Sequence, residues 1–329
     1  MKVHGIQFLL ERDDYREKNF LDHVERFYRK TQPGDVIVFP EDIGLLTAFA
    51  SPPEGNIGDI FMNLYNGNEK FVENLAKTYS DADTRELLFA SFTSRFVERF
   101  YRMFSELSSK YAVYTVACND MAEFREDGGK IVPTSPQIFN TAFVFGTNGK
   151  EMYRQRKVFL TEMENMLSLT PGPIEKVSTF RIGGIEFGIA ISLDAFIPEY
   201  VSRLSSCEVI LQPDANPERW TSYLQNGRWQ PEEWMDSAYF MAQRIGSAKY
   251  VINPMMVGNL GDVRFEGQSA ILKKAEASDE LMGYAGNIPT TGFKYVSGIG
   301  GLNPSKMQDR TYLSSADLTY GEDILTVEL

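Results

Sequence analysis

Residues 2–10, KVHGIQFLL, have the apolar density of a strand, and residues 16–30 then place Phe20, Leu21, Val24, Phe27 and Tyr28 at helical spacing. VIVF, at 36–39, is wholly apolar, the mark of a strand covered on both faces. The chain therefore opens β-α-β. Residues 57–80 and 83–109 read as two helices, the second started by Asp83 with Glu86 three positions on and rich in aromatics (Phe92, Phe96, Phe100, Phe104). YAVYTVAC, at 111–118, reads as the next strand, with a polar, glycine-containing loop through Gly129.

Two hairpins follow. IFNTAFVF and EMYRQRKVF flank GTNGK, where Asn148-Gly149 is a strong turn signal, and EKVSTFRI and IEFGIAIS are joined through Gly183-Gly184. DAFIPEYVSRL then reads as a helix, EVILQP as a strand, residues 231–246 as a helix burying Trp234, Ala238, Met241 and Ile245, and KYVINP and GQSAILK as strands. Alternation in places and hairpins in others predict a mixed α/β sheet system with helices outside it. With no internal repeat or linker, residues 1–275 read as one domain, and the glycine-rich 276–329 as an extension or arm packing on the domain or on a partner subunit.

Composition narrows the function classes. The 329 residues are 43% hydrophobic and 24% charged, ordinary for a soluble globular protein. No apolar run reaches the length needed to cross a bilayer, and the N-terminus has no signal-peptide pattern, so a cytoplasmic protein is expected. A formal charge of −12 disfavours nucleic acid and anionic membranes as partners and favours a small uncharged or cationic substrate. Two cysteines, Cys118 and Cys207, make neither a disulfide framework nor a zinc site and read as buried structural thiols. Two histidines, His4 and His23, lie near the N-terminus, remote from any candidate nucleophile, which disfavours a Ser-His-Asp hydrolase. There is no GxSxG elbow and no HExxH; neither a metal nor another cofactor is expected.

Three polar residues sit just beyond apolar strands: Glu41 in VIVFPEDIG, Lys157 in YRQRKVFLTEME and Ser192 in GIAISLDAF. Carboxyl ends of strands are where α/β sites assemble, because the loops there converge over a rigid floor. In this order and context the chain resembles the nitrilase-like carbon-nitrogen hydrolase superfamily, which covers nitrilases, aliphatic amidases and N-carbamoyl amide hydrolases. VIVFPE resembles that family's strand-Pro-Glu segment, YRQRKVFLTEMEN its Arg-Lys segment, GIAISLDAFIPEY its nucleophile segment with Asp194 and Pro198-Glu199, and FEGQSAI a late strand start.

The resemblance implies a four-layer α-β-β-α sandwich assembled as a homodimer or larger homo-oligomer. It implies hydrolysis of a non-peptide C–N bond in a small amide, nitrile or N-carbamoyl compound. Glu41 is then the general base, Lys157 the oxyanion-stabilising ammonium together with the Leu193 backbone N–H, and Glu164 a supporting carboxylate. One departure is decisive: the family has cysteine where this chain has Ser192. An alcohol is far less acidic than a thiol, so attack requires a well-aligned base. Ser192 is read as an inactivating Cys-to-Ser change. The alternatives are a natural non-catalytic protein that binds a ligand or acts in assembly, and a genuine serine-dependent amidase. Asn216 and Trp220, in QPDANPERW, are candidate substrate contacts, and the aromatics of 57–109 are candidates to roof the pocket.

Overall fold

The computed structural model describes residues 1–274, apart from scattered positions between 221 and 243, together with the backbone of 283–287 and residues 321–329. The opening is β1 (Lys2–Leu10), α1 (Glu17–Tyr28) and β2 (Val36–Val38). A helical excursion follows: α2 (Ile57–Thr78), α3 (Thr84–Ser91), α4 (Thr93–Phe96), a π-helical turn (Val97–Arg102) and α5 (Met103–Tyr111). The Asp83–Glu86 capping box expected from sequence starts α3, and Asn56 caps α2 by accepting the Asp59 N–H. Then come β3 (Tyr114–Asp127), β4 (Lys130–Phe145), β5 (Glu151–Arg156), α6 (Glu162–Met166), β6 (Phe180–Ile182), β7 (Ile185–Ile189), α7 (Pro198–Arg203) and β8 (Val209–Leu211). The chain continues with β9 (Tyr250–Asn253), β10 (Met256–Leu260), β11 (Val263–Phe265), β12 (Ala270–Lys273), β13 (Gly283–Asn287) and β14 (Asp323–Glu328).

These strands form two mixed sheets. The first runs β11-β10-β1-β2-β3-β4-β5, with β14 also on β1, and the second runs β13-β12-β9-β8-β7-β6. In each, a parallel centre is continued by antiparallel pairs: β10, β1, β2 and β3 are parallel neighbours, as are β7, β8 and β9.

Strand alternation dictates the layers. Val36, Val38, Val116, Cys118, Ala142 and Val144 of the first sheet meet Phe187, Ile189, Ile191, Val209, Leu211 and Ile252 of the second in one apolar layer. The opposite face of the first sheet carries Ile37, Phe39, Ala117, Phe143 and Phe145 against Phe27, Tyr28, Phe100 and Phe104 of the helices. The outer face of the second packs Ala190, Ile210 and Val251 against Tyr200, Val201, Ala238 and Met241. The result is the expected α-β-β-α sandwich. Truncating a fully buried side chain such as Ile189 in the central layer to Ala would cost about 2–5 kcal/mol.

Some expectations change. The segment read as a polar loop after residue 118 is strand: β3 runs on to Asp127 and pairs with β4 through a Gly128-Gly129 turn, each glycine at positive φ. The second long helix is interrupted near Phe92 and again by the π-helical turn. The β10–β11 hairpin was not foreseen. Within 276–329, β13 extends the second sheet beside β12, and β14 pairs antiparallel with β1 of the same chain. Much of the 231–246 helix lies outside the described residues; Ala238, Met241 and Ile245 are buried as expected, whereas Trp234 is only half-buried, edge-on against Phe196. Among the described residues, no helix is long and apolar enough to cross a membrane.

Candidate active site

At the end of β2 the chain turns through Pro40, Glu41 and Asp42, the last at φ +60. The Gly44 N–H donates to the Cys118 carbonyl at 3.0 Å, which fixes the turn on β3. Glu41 is buried, and both its oxygens are engaged. Oε1 accepts from Lys157 Nζ and from Asn140 Nδ2, each at 2.8 Å, and Oε2 accepts the Ala215 N–H at 3.1 Å.

Lys157 follows β5 directly. Its N–H donates to the Asn140 carbonyl at 2.8 Å, and its own carbonyl accepts the Gly172 N–H at 2.7 Å. A Cβ at Gly172 would lie 2.7 Å from the Arg156 Cβ, so only glycine permits that approach. Lys157 Nζ also lies 2.8 Å from Glu164 Oε2. Glu164 is held by a capping box at the start of α6, its carboxylate accepting from the Thr161 N–H and hydroxyl. Asn140 Nδ2 reaches Glu164 Oε1 as well, at 3.0 Å, so one amide bridges both glutamates.

The electrostatics follow from this arrangement. Burial opposes the Lys157 charge, but two carboxylates at 2.8 Å outweigh it and hold the ammonium protonated far above its usual range. The two glutamates are driven apart. Burial, with the like charge of Glu164, pushes Glu41 up against the pull of Lys157, whereas for Glu164 Lys157 and the Thr161 donors overcome burial and hold it down. Divergent carboxyls of this kind suit one group to exchange a proton and the other to remain anionic.

Ser192 ends the run that begins in β7. Ile189 and Ile191 face the central layer and Ala190 the outer one. At Ser192 the backbone leaves the strand at φ +48, a conformation costing a non-glycine residue about 1–2 kcal/mol. The Ser192 N–H donates to the Pro213 carbonyl at 3.1 Å, and its hydroxyl has no hydrogen-bond partner among the described residues. The Leu193 N–H likewise has none, which leaves a donor beside the hydroxyl. Asp194 turns back to accept the Val158 and Phe159 N–H groups, and burial pushes its carboxyl up to about 8 despite those donors and the nearby Lys157.

Glu41, Lys157, Glu164 and Ser192 line one cavity of about 390 Å³, a size suited to a small molecule. Asp42, Asp120, Ala215, Pro217 and Glu218 share its lining, with apolar walls that include Leu45, Ile57, Leu167 and Phe265. Asn216 and Trp220 are not brought to it. Both are buried behind the loop: Asn216 Nδ2 donates to the Glu218 and Glu266 carbonyls, and the Trp220 backbone N–H donates to Glu266 Oε2. Their neighbours Ala215, Pro217 and Glu218 reach the cavity instead. The aromatics expected as a roof do not reach it: Phe92, Phe96, Phe100 and Phe104 are core residues, Phe71 is exposed on the surface, and from that excursion Ile57 alone among the described residues lines the cavity.

Sequence reasoning missed Asn140, Asp42, Asp120 and the Ala215 N–H. Asn140 stands as a polar interruption in the apolar run IFNTAFVF, a signal that was there to read; a backbone donor carries none. Both cysteines are free and buried, as expected. One trio, Glu11, Asp14 and His23, offers ligand atoms within 4.8 Å of one another, but both His23 nitrogens are engaged by Asp14 and Glu322 and none of the three lines the cavity.

The family model described as carbon-nitrogen hydrolase matches residues 18–274. Among solved structures, a mutant of the Nesterenkonia AN1 amidase from the nitrilase superfamily is similar at TM-score 0.60 and 13% identity, covering 100% of this chain and 90% of that one. An amidase from Nesterenkonia sp. aligns at TM-score 0.59 and 14% identity, with the same coverage. Saccharomyces cerevisiae Nit3, a member of branch 10 of the nitrilase superfamily, gives TM-score 0.52 and 19% identity over 83% of this chain and 82% of its own. At these identities the structural likeness is one of fold. No curated protein matches. The match over 18–274, with the sandwich observed, places this chain in the carbon-nitrogen hydrolase family.

Proposed function

We propose that the cavity receives a small amide, nitrile or N-carbamoyl compound with its reacting carbon at residue 192. The supporting observation is the convergence of Glu41, Lys157, Glu164 and the Ser192 strand end on one cavity, with the lysine held by both glutamates. For an amide, the group at 192 attacks the carbonyl carbon while Glu41 takes its proton. Lys157 and the Leu193 N–H stabilise the oxyanion, an electrostatic contribution of about 3–4 kcal/mol per donor. Glu41 then returns the proton to the leaving amine as the C–N bond breaks, and water attacks the resulting acyl group. Glu164 holds Lys157 in place throughout.

Serine weakens the first step. Its hydroxyl starts far above the thiol's pKa of about 8.5, so little of it is activated at neutral pH. The Nesterenkonia amidase is described with an active-site cysteine that takes up the acetamide moiety of fluoroacetamide; here a serine stands in the corresponding motif. Ser192 thus leaves a site equipped to bind and polarise an amide but poor at breaking it. The second reading, a natural ligand-binding or assembly protein, draws on the Ser192 hydroxyl having no hydrogen bond to Glu41 or Lys157. Assembly into a homodimer or larger homo-oligomer and a cytoplasmic location belong to the first reading, the amide-hydrolysing one.

Ammonia release by the Ser192→Cys protein against a panel of short amides, nitriles and N-carbamoyl compounds tests the proposal. Turnover of at least one compound supports an amide-hydrolysing site. A folded Ser192→Cys protein inert toward the whole panel supports the non-catalytic reading.

A further inference from the structure

The catalytic assignment leaves two cavity carboxylates unused. Asp120 lies on β3 directly opposite Asn140 on β4, so the two share a strand face and Asp120 stands beside the amide that bridges Glu41 and Glu164. Its side chain is buried, with 4% of the residue exposed, and its Oδ1 is sealed from solvent with no hydrogen-bond partner among the described residues. Asp42 reaches the same cavity through the positive-φ turn after Glu41, and its Oδ1 is likewise sealed and unpartnered. Native structures rarely leave buried carboxylate oxygens unsatisfied, because each one withdrawn from water without a donor is costly.

Among the described residues, no cation forms an ion pair with either of these two groups. Lys157 is the one cationic residue among the described lining residues, and Glu41 and Glu164 already engage it. Against it the lining sets six carboxylates: Glu41, Asp42, Asp120, Glu164 and, at the exposed rim, Glu162 and Glu218. Apolar walls at Leu45, Ile57, Leu167 and Phe265 suit a short aliphatic spacer. We propose that Asp42 and Asp120 form a subsite for a cationic group, so that this cavity selects small amides carrying an ammonium or amidinium a few bonds from the carbonyl.

The proposal rests on the amide reading for the position of the carbonyl, while the cation subsite stands on its own geometry. Burial first, then the like charges of the neighbouring cavity carboxylates, pushes both Asp42 and Asp120 well above the ordinary carboxylate range, against the weaker pull of Lys157. Each of these groups therefore takes up a proton more readily than a free carboxyl does. A cation beside them favours the ionised form, and the exposed Glu162 and Glu218 draw it to the mouth. Affinity for the cationic ligand therefore rises with pH.

Calorimetric titration of the protein with γ-aminobutyramide, valeramide and butylammonium tests this, since the first two differ only by an ammonium in place of a terminal methyl. The expected result is an affinity for γ-aminobutyramide about 10-fold or more above that for valeramide. Proton release, read from two buffers of different ionisation enthalpy, accompanies binding. Asp120→Asn brings the affinity for γ-aminobutyramide down to that for valeramide; Asp42→Asn, assayed alongside, does the same should the first variant fold poorly. Equal binding of the two amides, or a preference that survives both substitutions, overturns the proposal. Turnover by Ser192→Cys separates the two readings. Equal hydrolysis of both amides refutes the cation subsite and leaves the amide reading standing. Asp120-dependent binding of butylammonium by a protein whose Ser192→Cys form hydrolyses no amide keeps the subsite and refutes the amide reading. Absence of binding by all three ligands refutes the subsite.

Discussion

The Asp194 carboxylate accepts the backbone N–H of Phe159 at 2.8 Å, tying the turn that carries Ser192 to the segment that carries Lys157. The two strand ends belong to different sheets, so their relative position depends on this latch and on the shared apolar layer beneath it. Sequence reading marked Asp194 as part of a motif but gave it no role. It fixes the spacing between the Ser192 turn and the segment that carries the Lys157 ammonium.

Loss of that latch is measurable. Asp194→Ala leaves two buried N–H groups without an acceptor and is expected to destabilise the fold by about 1–3 kcal/mol in urea unfolding. The same carboxyl gives a pH signature. Its folded pKa is raised to about 8, so the folded state holds a proton that the unfolded chain has released. Its contribution is fullest below about pH 4 and is lost as pH rises through the folded value. Asp194→Asn is therefore expected to show a flatter stability profile than the parent between those limits.

Asn140 is expected to matter beyond its size. Replacing it with Ala removes the one neutral donor shared by Glu41 and Glu164, with an expected cost of about 1–3 kcal/mol in stability. Asn140→Asp adds a like charge in its place and should be the more damaging of the two, with partial recovery at lower pH as the added carboxyl protonates. Thermal melts of both variants across pH check the order.

Backbone strain at Ser192 makes a prediction independent of chemistry. Because φ is +48, Ser192→Gly relieves a cost of about 1–2 kcal/mol and should leave stability equal to or above that of the parent, whereas the β-branched Ser192→Val should lower it. Urea midpoints of the three proteins decide. A glycine variant clearly weaker than the parent would mean that the hydroxyl itself supports the fold.

The chain's two histidines bear on β14. His4 Nδ1 meets the Thr326 hydroxyl at 2.8 Å, and His23 lies 2.7 Å from both Asp14 and Glu322. Burial and Arg26 oppose the His23 charge, but Asp14 and Glu322 outweigh them and raise its pKa. Its stabilising contribution is complete below about pH 6.5 and is lost as pH rises through the folded value. Hydrogen exchange of residues 323–328, corrected for intrinsic rates, should show weaker protection at alkaline pH, and Glu322→Gln should remove most of that dependence.

What the sequence disclosed follows from how each feature is encoded. Glu41 and Ser192 were legible because each is a polar residue that breaks off an apolar run, Lys157 only through the resemblance of its segment YRQRKVFLTEMEN, and the hairpins at Asn148-Gly149 and Gly183-Gly184 from turn chemistry. Asp42 and Asp120 were not, since a carboxylate beside a strand reads as solvated until the opposing sheet buries it. The β14–β1 pairing was hidden for another reason: its register joins Lys2 to Glu328, and nothing local specifies a partner across nearly the whole chain. Asn216 and Trp220 failed as cavity residues because their loop uses them as internal struts and turns Pro217 and Glu218 outward.

The most direct test of the account is the turnover rate of the Ser192→Cys protein with and without a second substitution, Glu41→Gln. If Glu41 is the base acting on residue 192, Glu41→Gln in that background is expected to lower kcat by about 100- to 10,000-fold while circular dichroism remains that of the folded protein. A doubly substituted protein that hydrolyses amides as fast as Ser192→Cys alone would contradict it.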